Sequence, residues 1–143
     1  GQKDETRLKY KLDFYDDLLP IINEQVESGS NVIVAGDWNT AHYPIDLARP
    51  KENVKTSGFM PIEREKLDDY VNDGWTDTFR LFNNEPEKYS WWSYRMGARA
   101  RNVGWRIDYF FVNSDFSDLC KNADIHQDVM GSDHCPVSLE LDL

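Results

Sequence analysis

The stretch Asn31-Val-Ile-Val-Ala-Gly-Asp-Trp-Asn39 decides the fold class of this chain. Residues 31–35 are a short apolar run of strand length, and Asp37 and Asn39 follow it closely. Apolar side chains before this run recur at the three- and four-residue steps of one helix face. They are Leu8, Leu12, Tyr15, Leu19, Ile22 and Val26. A helix followed by a buried strand with polar residues at its end is typical of α/β proteins.

Further elements are predicted after this first unit. Gly29 is placed to end the first helix, and Pro20 inside it predicts a kink or a break. Residues 40–60 are expected to form a long irregular loop. A second helix is predicted to begin at Pro61 and to stop at Gly74.

The second half of the chain predicts mainly strands. A short turn or helix is expected to begin at 77–80 and to close near Pro86. Residues 89–94 and 106–112 are aromatic and β-branched, and they predict two strands joined by a basic loop. Residues 124–127 indicate a short edge strand, and the alternation of apolar and polar residues over 137–143 indicates a half-buried strand.

Composition limits the class of protein. The 143 residues, 40% of them hydrophobic, predict one globular domain over 1–143. We expect no membrane association, because no apolar run approaches the ~20 residues that a membrane helix needs. Cys120 and Cys135 make neither a disulfide framework nor a four-ligand zinc site, and the N-terminus is too polar for a signal peptide, so we expect a cytoplasmic location. The net charge of −10 argues against a histone-like protein held on DNA by bulk charge.

Four polar residues stand at or within the predicted strands in positions that suit chemistry. Asp37 and Asn39 are two residues apart, so in extended backbone their side chains point the same way. A carboxylate can take a proton from water while a neutral amide binds a phosphoryl oxygen without repelling it, which suits hydrolysis of an anionic ester. The alternative is an Asx turn that ends the strand.

Asp108 and His134 form a second candidate pair. Asp108 interrupts an otherwise apolar strand, so its carboxylate must face solvent or be paired. A histidine is its natural partner, because a carboxylate at one ring nitrogen fixes the tautomer and raises the basicity of the other. His134 lies in a tight loop just before Pro136, which would present it at the mouth of a site. The alternative is a structural histidine hydrogen-bonded in a turn.

The segment 88–106 has a local charge opposite to that of the whole chain. It holds five cations and no acid, with aromatic residues interleaved. Arginine pairs bidentately with phosphate, and aromatic rings stack on bases, so we expect nucleic-acid contact here. The alternative places Trp91 and Trp92 in the core and the arginines on a solvated loop.

Six sequence blocks, in this order, resemble the exonuclease III and apurinic/apyrimidinic (AP) endonuclease family of the endonuclease/exonuclease/phosphatase superfamily. They are Gly-Asp-Trp-Asn-Thr-Ala-His (36–42), Ser-Gly-Phe (57–59) with Pro61 and Glu63-Arg64, Asp-Thr-Phe-Arg (77–80), Trp-Trp-Ser-Tyr-Arg (91–95), Arg-Asn-Val-Gly-Trp-Arg-Ile-Asp-Tyr (101–109) and Met-Gly-Ser-Asp-His-Cys-Pro-Val (130–137). The resemblance extends over essentially the whole chain. It implies the C-terminal half of a two-sheet α/β sandwich of the DNase I-like type, with a mixed, mostly antiparallel sheet and flanking helices.

The resemblance also implies an activity and partners. It implies Mg²⁺- or Mn²⁺-dependent hydrolysis of a DNA phosphodiester, as AP endonuclease and 3′–5′ exonuclease in base excision repair. The substrate would be duplex DNA with abasic sites or 3′ ends. The family's N-terminal metal-anchoring residues and its active-site tyrosine have no counterpart in the sequence. Three interpretations stay open: a fragment, a dissected domain, or a half that pairs with the N-terminal half of the fold as a partner.

The resemblance assigns roles residue by residue. Asp37 would deprotonate or orient the attacking water, Asn39 would bind the scissile phosphate, and His134, oriented by Asp108, would polarise a phosphoryl oxygen. The implied metal site consists of Asp133, Asp37 and Asn39. The implied DNA contacts are Arg95, Arg99, Arg101, Asn102 and Trp105, of which Trp105 lines the pocket for the abasic sugar. Two other functions stay open: a superfamily phosphodiesterase acting on inositol phosphates, sphingomyelin or undamaged DNA, and a half-domain that binds DNA or a partner without cutting.

Overall fold

A computed structural model of the chain describes residues 2–143 as an α/β protein. The helices are α1 (Gln2–Glu27), α2 (Pro61–Asn72) and α3 (Phe79–Phe82). The strands are β1 (Ile33–Asp37), β2 (Trp75–Asp77), β3 (Trp91–Trp92), β4 (Gly104–Trp105), β5 (Asp108–Asn113), β6 (Cys120–Ile125) and β7 (Val137–Leu141). Three short 3₁₀ helices cover Pro44–Asp46, Pro50–Asn53 and Ser114–Leu119. Within residues 2–143, no helix combines the length and the apolar character needed to span a membrane.

The strands form three antiparallel sheets. The largest has the order β1-β5-β2, so β5 is central and β1 lies at an edge. The β1–β5 register places Asp37 directly opposite Asp108 at one end of this sheet. The other two sheets are the pairs β3–β4 and β6–β7. The strand register alone therefore brings together two carboxylates that are far apart in sequence.

Two of the three apolar clusters in the described part of the chain hold these layers together. In the first, α1 and α2 pack on the β1-β5-β2 sheet around Trp38, whose ring meets Tyr70 edge-on at 4.9 Å. The second includes Phe79 of α3, Trp92 of β3 and Ile125 of β6. The site described below lies where the large sheet meets the β3–β4 pair.

The expected α/β class and the two long helices are confirmed. A break at Pro20 is wrong, because α1 runs continuously through it. The turns on both sides of Pro20 bury Tyr15 and Ile22 in the first cluster, and this packing favours an unbroken helix. Gly29 follows the end of α1 with a φ of +100°, as a helix-ending glycine does.

Strands form near the predicted positions, but their burial and their lengths differ from the prediction. β1 is largely exposed and not buried, because it is an edge strand and only one of its faces meets α1. The predicted strand at 89–94 shrinks to two residues that pair with β4, whereas the strand predicted at 106–112 begins at Asp108. β2 was not predicted, since a three-residue strand carries too little periodicity to be recognised.

Candidate active site

The first part of the site is the turn that follows β1. Asp37 is the last residue of β1, and its Oδ1 accepts the Asn39 N–H at 2.8 Å. This contact is the Asx turn that was the alternative interpretation, so the same residues form a turn and line a candidate site. Asn39 adopts a left-handed φ of +52°, which turns the chain sharply away from the strand.

The loop that carries His134 completes the site. The His134 Nδ1 lies 2.8 Å from Oδ2 of Asp108, and its Nε2 lies 3.7 Å from Oδ2 of Asp37. The loop is held against β3 by two backbone contacts. The Trp92 N–H donates to the Asp133 carbonyl at 3.1 Å, and His134 forms an isolated antiparallel β-bridge with Trp91. Three of the four predicted catalytic residues thus meet, with one potential ligand atom from each lying within 4.8 Å of the others.

The electrostatics of this cluster raise the pKa values of both Asp37 and His134. Partial burial and the nearby charge of Asp108 raise the pKa of Asp37, against the lowering effect of the Asn39 N–H. Partial burial would lower the pKa of His134, but the hydrogen bond and charge of Asp108, with Asp37 and Asp133, outweigh it and raise that pKa. His134 therefore stays cationic to a higher pH than an ordinary histidine.

The same cluster is the part of the described chain that suits a divalent cation. A hard cation prefers oxygen ligands and keeps several waters. Asp37 and Asp108 face each other and their charges repel, which a cation at the Asp37 carboxylate would relieve, so these oxygens fit Mg²⁺ or Mn²⁺. The cationic ring of His134 offers no lone pair to a metal. Asp133 lies outside this three-residue cluster, and its Oδ2 accepts the indole N–H of Trp91 at 3.2 Å, which lowers its pKa. A metal-binding role for Asp133 stays a prediction.

A cavity of about 640 Å³ opens beside His134. Its lining includes Asn39, Gly58, Trp91, Trp105, Ile107 and Asp133. Trp105 meets Trp91 edge-to-face, with ring centroids 6.5 Å apart. Gly58 packs so closely against the Trp105 indole that an added Cβ would lie 2.9 Å from a ring carbon. An aromatic wall thus stands next to the acid–histidine cluster, and the binding of an abasic sugar by Trp105 stays a prediction.

The structure divides the predicted basic surface into two groups. Arg99 donates to the carbonyls of Gln127 at 2.9 Å, Val129 at 2.7 Å and Ser132 at 3.1 Å, and its guanidinium lies over the Trp92 ring. These bonds join the basic loop to the loop that carries His134. The predicted DNA contact of Arg99 would have to compete with them.

Arg106 does not belong to the basic surface at all. It is 0% exposed, and its guanidinium pairs with Asp46 at 2.8 Å and with Asp77 at 2.5 Å. Counting it among five loop cations overstated the charge available to phosphate. Arg95 and Arg101 are exposed.

Asn102 also serves the interior of the protein. Its Oδ1 accepts the indole N–H of Trp92 at 3.0 Å, and its Nδ2 donates to the Glu87 carbonyl at 3.1 Å. These bonds occupy both ends of the side-chain amide, so a DNA contact would have to compete with them. The DNA contact implied for Asn102 stays a prediction.

Sequence reasoning missed the buried ionic residues around the site. Glu63 and Lys11 contact each other, and Asp46 and Asp77 neutralise Arg106. For Glu63 a local signal exists, because it is the third residue of a helix that starts with proline and it accepts the Met60 N–H. For Lys11 there is none, since its partner is 52 residues away.

Residues 2–134 match the Endonuclease/Exonuclease/phosphatase family. The chain therefore belongs to this family, which agrees with its antiparallel α/β fold and its acid–histidine cluster.

Named relatives and a solved structure lie close to this chain. The exodeoxyribonuclease of Bacillus subtilis (strain 168) is 44% identical over 138 residues, covering 96% of this chain and 54% of that protein. The DNA-(apurinic or apyrimidinic site) endonuclease of Dictyostelium discoideum is 39% identical, covering 100% of this chain and 40% of that protein. The crystal structure of the Xenopus laevis APE2 catalytic domain matches with a TM-score of 0.88 and 31% identity, covering 99% of this chain and 46% of that one. The chain spans about half the length of the relatives it matches.

Proposed function

We propose that this chain supplies the C-terminal half of a metal-dependent DNA phosphodiesterase that acts as an AP endonuclease and 3′–5′ exonuclease in base excision repair. The observation that carries the proposal is the contact of His134 with Asp108 at 2.8 Å, beside Asp37. A hydrolase of an anionic ester needs a base for water and a cation for the developing phosphoryl charge, and this cluster offers both. The names of the matching relatives support the same class of reaction.

His134 and Asp108 act as one unit in this proposal. The Asp108 carboxylate fixes the ring through Nδ1, so Nε2 is the nitrogen that faces the substrate. The cationic ring donates to a phosphoryl oxygen as negative charge develops there. This role needs the protonated ring, which the raised pKa of His134 maintains.

Asp37 and Asn39 act on the other side of the phosphate. Asp37 orients the attacking water and takes its proton, for which its carboxylate must be ionised. The neutral side chain of Asn39 binds a phosphate oxygen without repulsion. A Mg²⁺ or Mn²⁺ ion held at Asp37, with Asp133 and Asn39 as the further expected ligands, would supply charge neutralisation and a more acidic water when bound.

The neighbouring cavity and the outer arginines bind the DNA. Trp105 lines the pocket for the abasic sugar, which leaves room where an intact nucleotide carries its base. Arg95 and Arg101 contact the phosphate backbone, because both residues are exposed. The Nε of Arg101 donates to the Met96 carbonyl at 3.2 Å, so its terminal amino groups are the part that faces the DNA. This arrangement separates substrate recognition from the acid–histidine cluster.

An N-terminal half of the fold is the proposed protein partner. β1 is an edge strand, and next to it α1 exposes the large apolar side chains of Tyr10 and Phe14. Exposed strand edges and apolar patches mark surfaces that another segment covers. The cytoplasmic location stays a prediction.

Cleavage of a duplex with a single abasic site tests the proposal. We define the complemented reaction as this chain mixed with a polypeptide corresponding to the N-terminal half of the Bacillus subtilis exodeoxyribonuclease. We expect little cleavage by the chain alone, and cleavage in the complemented reaction that requires Mg²⁺ or Mn²⁺ and stops with a chelator. An intact duplex with blocked 3′ ends, an inositol phosphate and sphingomyelin are the control substrates.

Three other outcomes would each contradict one part of the proposal. Cleavage of only the inositol phosphate or sphingomyelin would identify a different phosphodiesterase. DNA binding without cleavage in the complemented reaction would leave a binding half-domain. Strong cleavage by the chain alone would show that its metal site is complete without a partner.

A further inference from the structure

We propose that Lys11 and Glu63 are a positioning pair that sets both the Asn39 turn and the Trp105 wall of the cavity. This inference rests on the proposed function, because it concerns how the same site holds an abasic substrate. Neither residue is hydrogen-bonded to the acid–histidine cluster, although the charge of Lys11 acts to lower the pKa of Asp37. The pair acts through the backbone on either side of the cavity.

Glu63 is the centre of this arrangement. Its side chain is 0% exposed, and a buried carboxylate is stable only when it is fully partnered. Oε1 accepts the Gly58 N–H at 2.7 Å and the Met60 N–H at 3.1 Å, and Oε2 accepts from the Lys11 ammonium. Glu63 therefore fixes the loop before α2 to α1.

Lys11 extends the connection to the candidate phosphate-binding residue. Its ammonium also donates to the carbonyl oxygen of Asn39 at 2.6 Å, and its side chain is only 18% exposed. Asn39 has a left-handed φ of +52°, a conformation that costs energy in a residue other than glycine. The Lys11 bond helps to hold the turn in this conformation, and with it the direction of the Asn39 side chain.

Gly58 extends the connection to the aromatic wall. It has a φ of +105°, and a Cβ added there would lie 2.9 Å from the ring of Trp105 and 3.3 Å from the Asn39 carbonyl. Gly58 thus packs between the two features that line the cavity. A shift of its backbone would move Trp105 and Asn39 together.

One ion pair therefore couples the two substrate-facing walls. If Lys11 is lost, Glu63 keeps its two backbone donors but loses its countercharge, and the Asn39 carbonyl loses a donor. We expect the turn and the indole to become mobile while the exposed arginines are unaffected. The protein would then still bind DNA, but it would distinguish an abasic site less well.

The matched control is another lysine that joins the same two helices. Lys66 of α2 pairs with Asp16 of α1 at 2.7 Å, and neither residue lines the cavity. The experiment compares Lys11→Met, Lys11→Arg and Lys66→Met in the 143-residue chain. One readout is the ratio of affinities for an abasic duplex and the matching intact duplex. The other is the ¹⁵N NMR signals of the Asn39 side-chain amide and the Trp105 indole.

We expect Lys11→Met to lower the affinity ratio by about fivefold, the equivalent of one ordinary hydrogen bond, and to shift or broaden both NMR signals. Lys11→Arg should restore both signals in large part, and Lys66→Met should leave them and the ratio unchanged. If Lys11→Met does not fold, Glu63→Gln, which retains an oxygen acceptor but not the charge, gives the same comparison.

Two failures are distinguishable. A wild-type chain without preference for abasic DNA would contradict the proposed substrate, and the NMR signals would still decide whether the pair positions the two walls. Signals and an affinity ratio that respond to Lys11→Met no more than to Lys66→Met would overturn the inference.

Discussion

The acid–histidine cluster and the basic loop lie side by side and are built in different ways. Asp37 and Asp108 face each other through strand register, and His134 is tied to Asp108 at 2.8 Å. At the tip of the basic loop, by contrast, Tyr94 is 80% and Met96 87% exposed. In the proposed function, the region fixed by strands carries the chemistry and the region that solvent reaches binds DNA.

The arginines between these regions show that charge along a sequence is not charge at a surface. Arg106 is neutralised in the interior, and Arg99 holds the His134 loop in place. Arg95 and Arg101 remain exposed. Variants of the inner and outer arginines therefore test the comparison most sharply.

The largest effect is expected for the buried arginine. Arg106→Met leaves the carboxylates of Asp46 and Asp77 without their main countercharge, so we expect the free energy of unfolding to fall by about 3–5 kcal/mol. Urea denaturation followed by tryptophan fluorescence measures it. The exposed control Arg101→Ala should change this free energy by less than about 0.5 kcal/mol. If both variants lowered the free energy of unfolding equally, the buried and the exposed arginine would contribute equally to stability, which would contradict the comparison.

The next effect concerns the pH dependence of the cluster. The rate of the complemented reaction should fall at high pH as His134 loses its proton, and at low pH as Asp37 gains one. Asp108 raises the pKa of both groups. Asp108→Asn should therefore move both limbs of the pH–rate profile to lower pH and reduce the maximal rate about 10²-fold.

A pH–rate profile over pH 4–10 for wild type and Asp108→Asn checks this expectation. Asp118→Asn, at an exposed position outside the cluster, is the control and should leave both limbs in place. If both limbs of the pH–rate profile stayed in place in Asp108→Asn, the protonation of His134 and Asp37 would not control the rate.

The smallest effect is expected in the salt dependence of DNA binding. The logarithm of the binding constant should fall with the logarithm of salt concentration by about 0.9 per phosphate contact. Arg95→Ala and Arg101→Ala should each flatten this slope by about one unit. Arg99→Ala should leave the slope unchanged, because its guanidinium is bonded to three backbone carbonyls. If only Arg99→Ala flattened the slope, Arg99 would be the phosphate contact, and Arg95 and Arg101 would not be.

Local patterns in the sequence predicted the elements that depend on local physics. Helices α1 and α2 were predicted because a helix repeats its apolar face within a few residues, and the closing strand because polar and apolar residues alternate. The pairing of Asp108 with a histidine was predicted because a lone carboxylate in an apolar strand needs a partner.

What the sequence did not predict depends on contacts between distant residues. The exposure of β1 follows from its edge position, which strand order decides. The internal use of Arg99 and Arg106 depends on carbonyls and carboxylates about 30 to 60 residues away. Neither the spacing nor the type of these arginines distinguishes them from Arg95 and Arg101.

The most direct test of the central claim is the single-turnover rate of abasic-site cleavage in the complemented reaction, for wild type and for His134→Ala. At saturating protein this rate reports chemistry and not binding. The loss of a group that stabilises transition-state charge predicts a rate about 10²–10³-fold lower, with DNA affinity nearly unchanged because Arg95 and Arg101 remain. A His134→Ala rate equal to that of wild type would contradict the account, since the group that the strands and Asp108 hold in place would then have no part in cleavage.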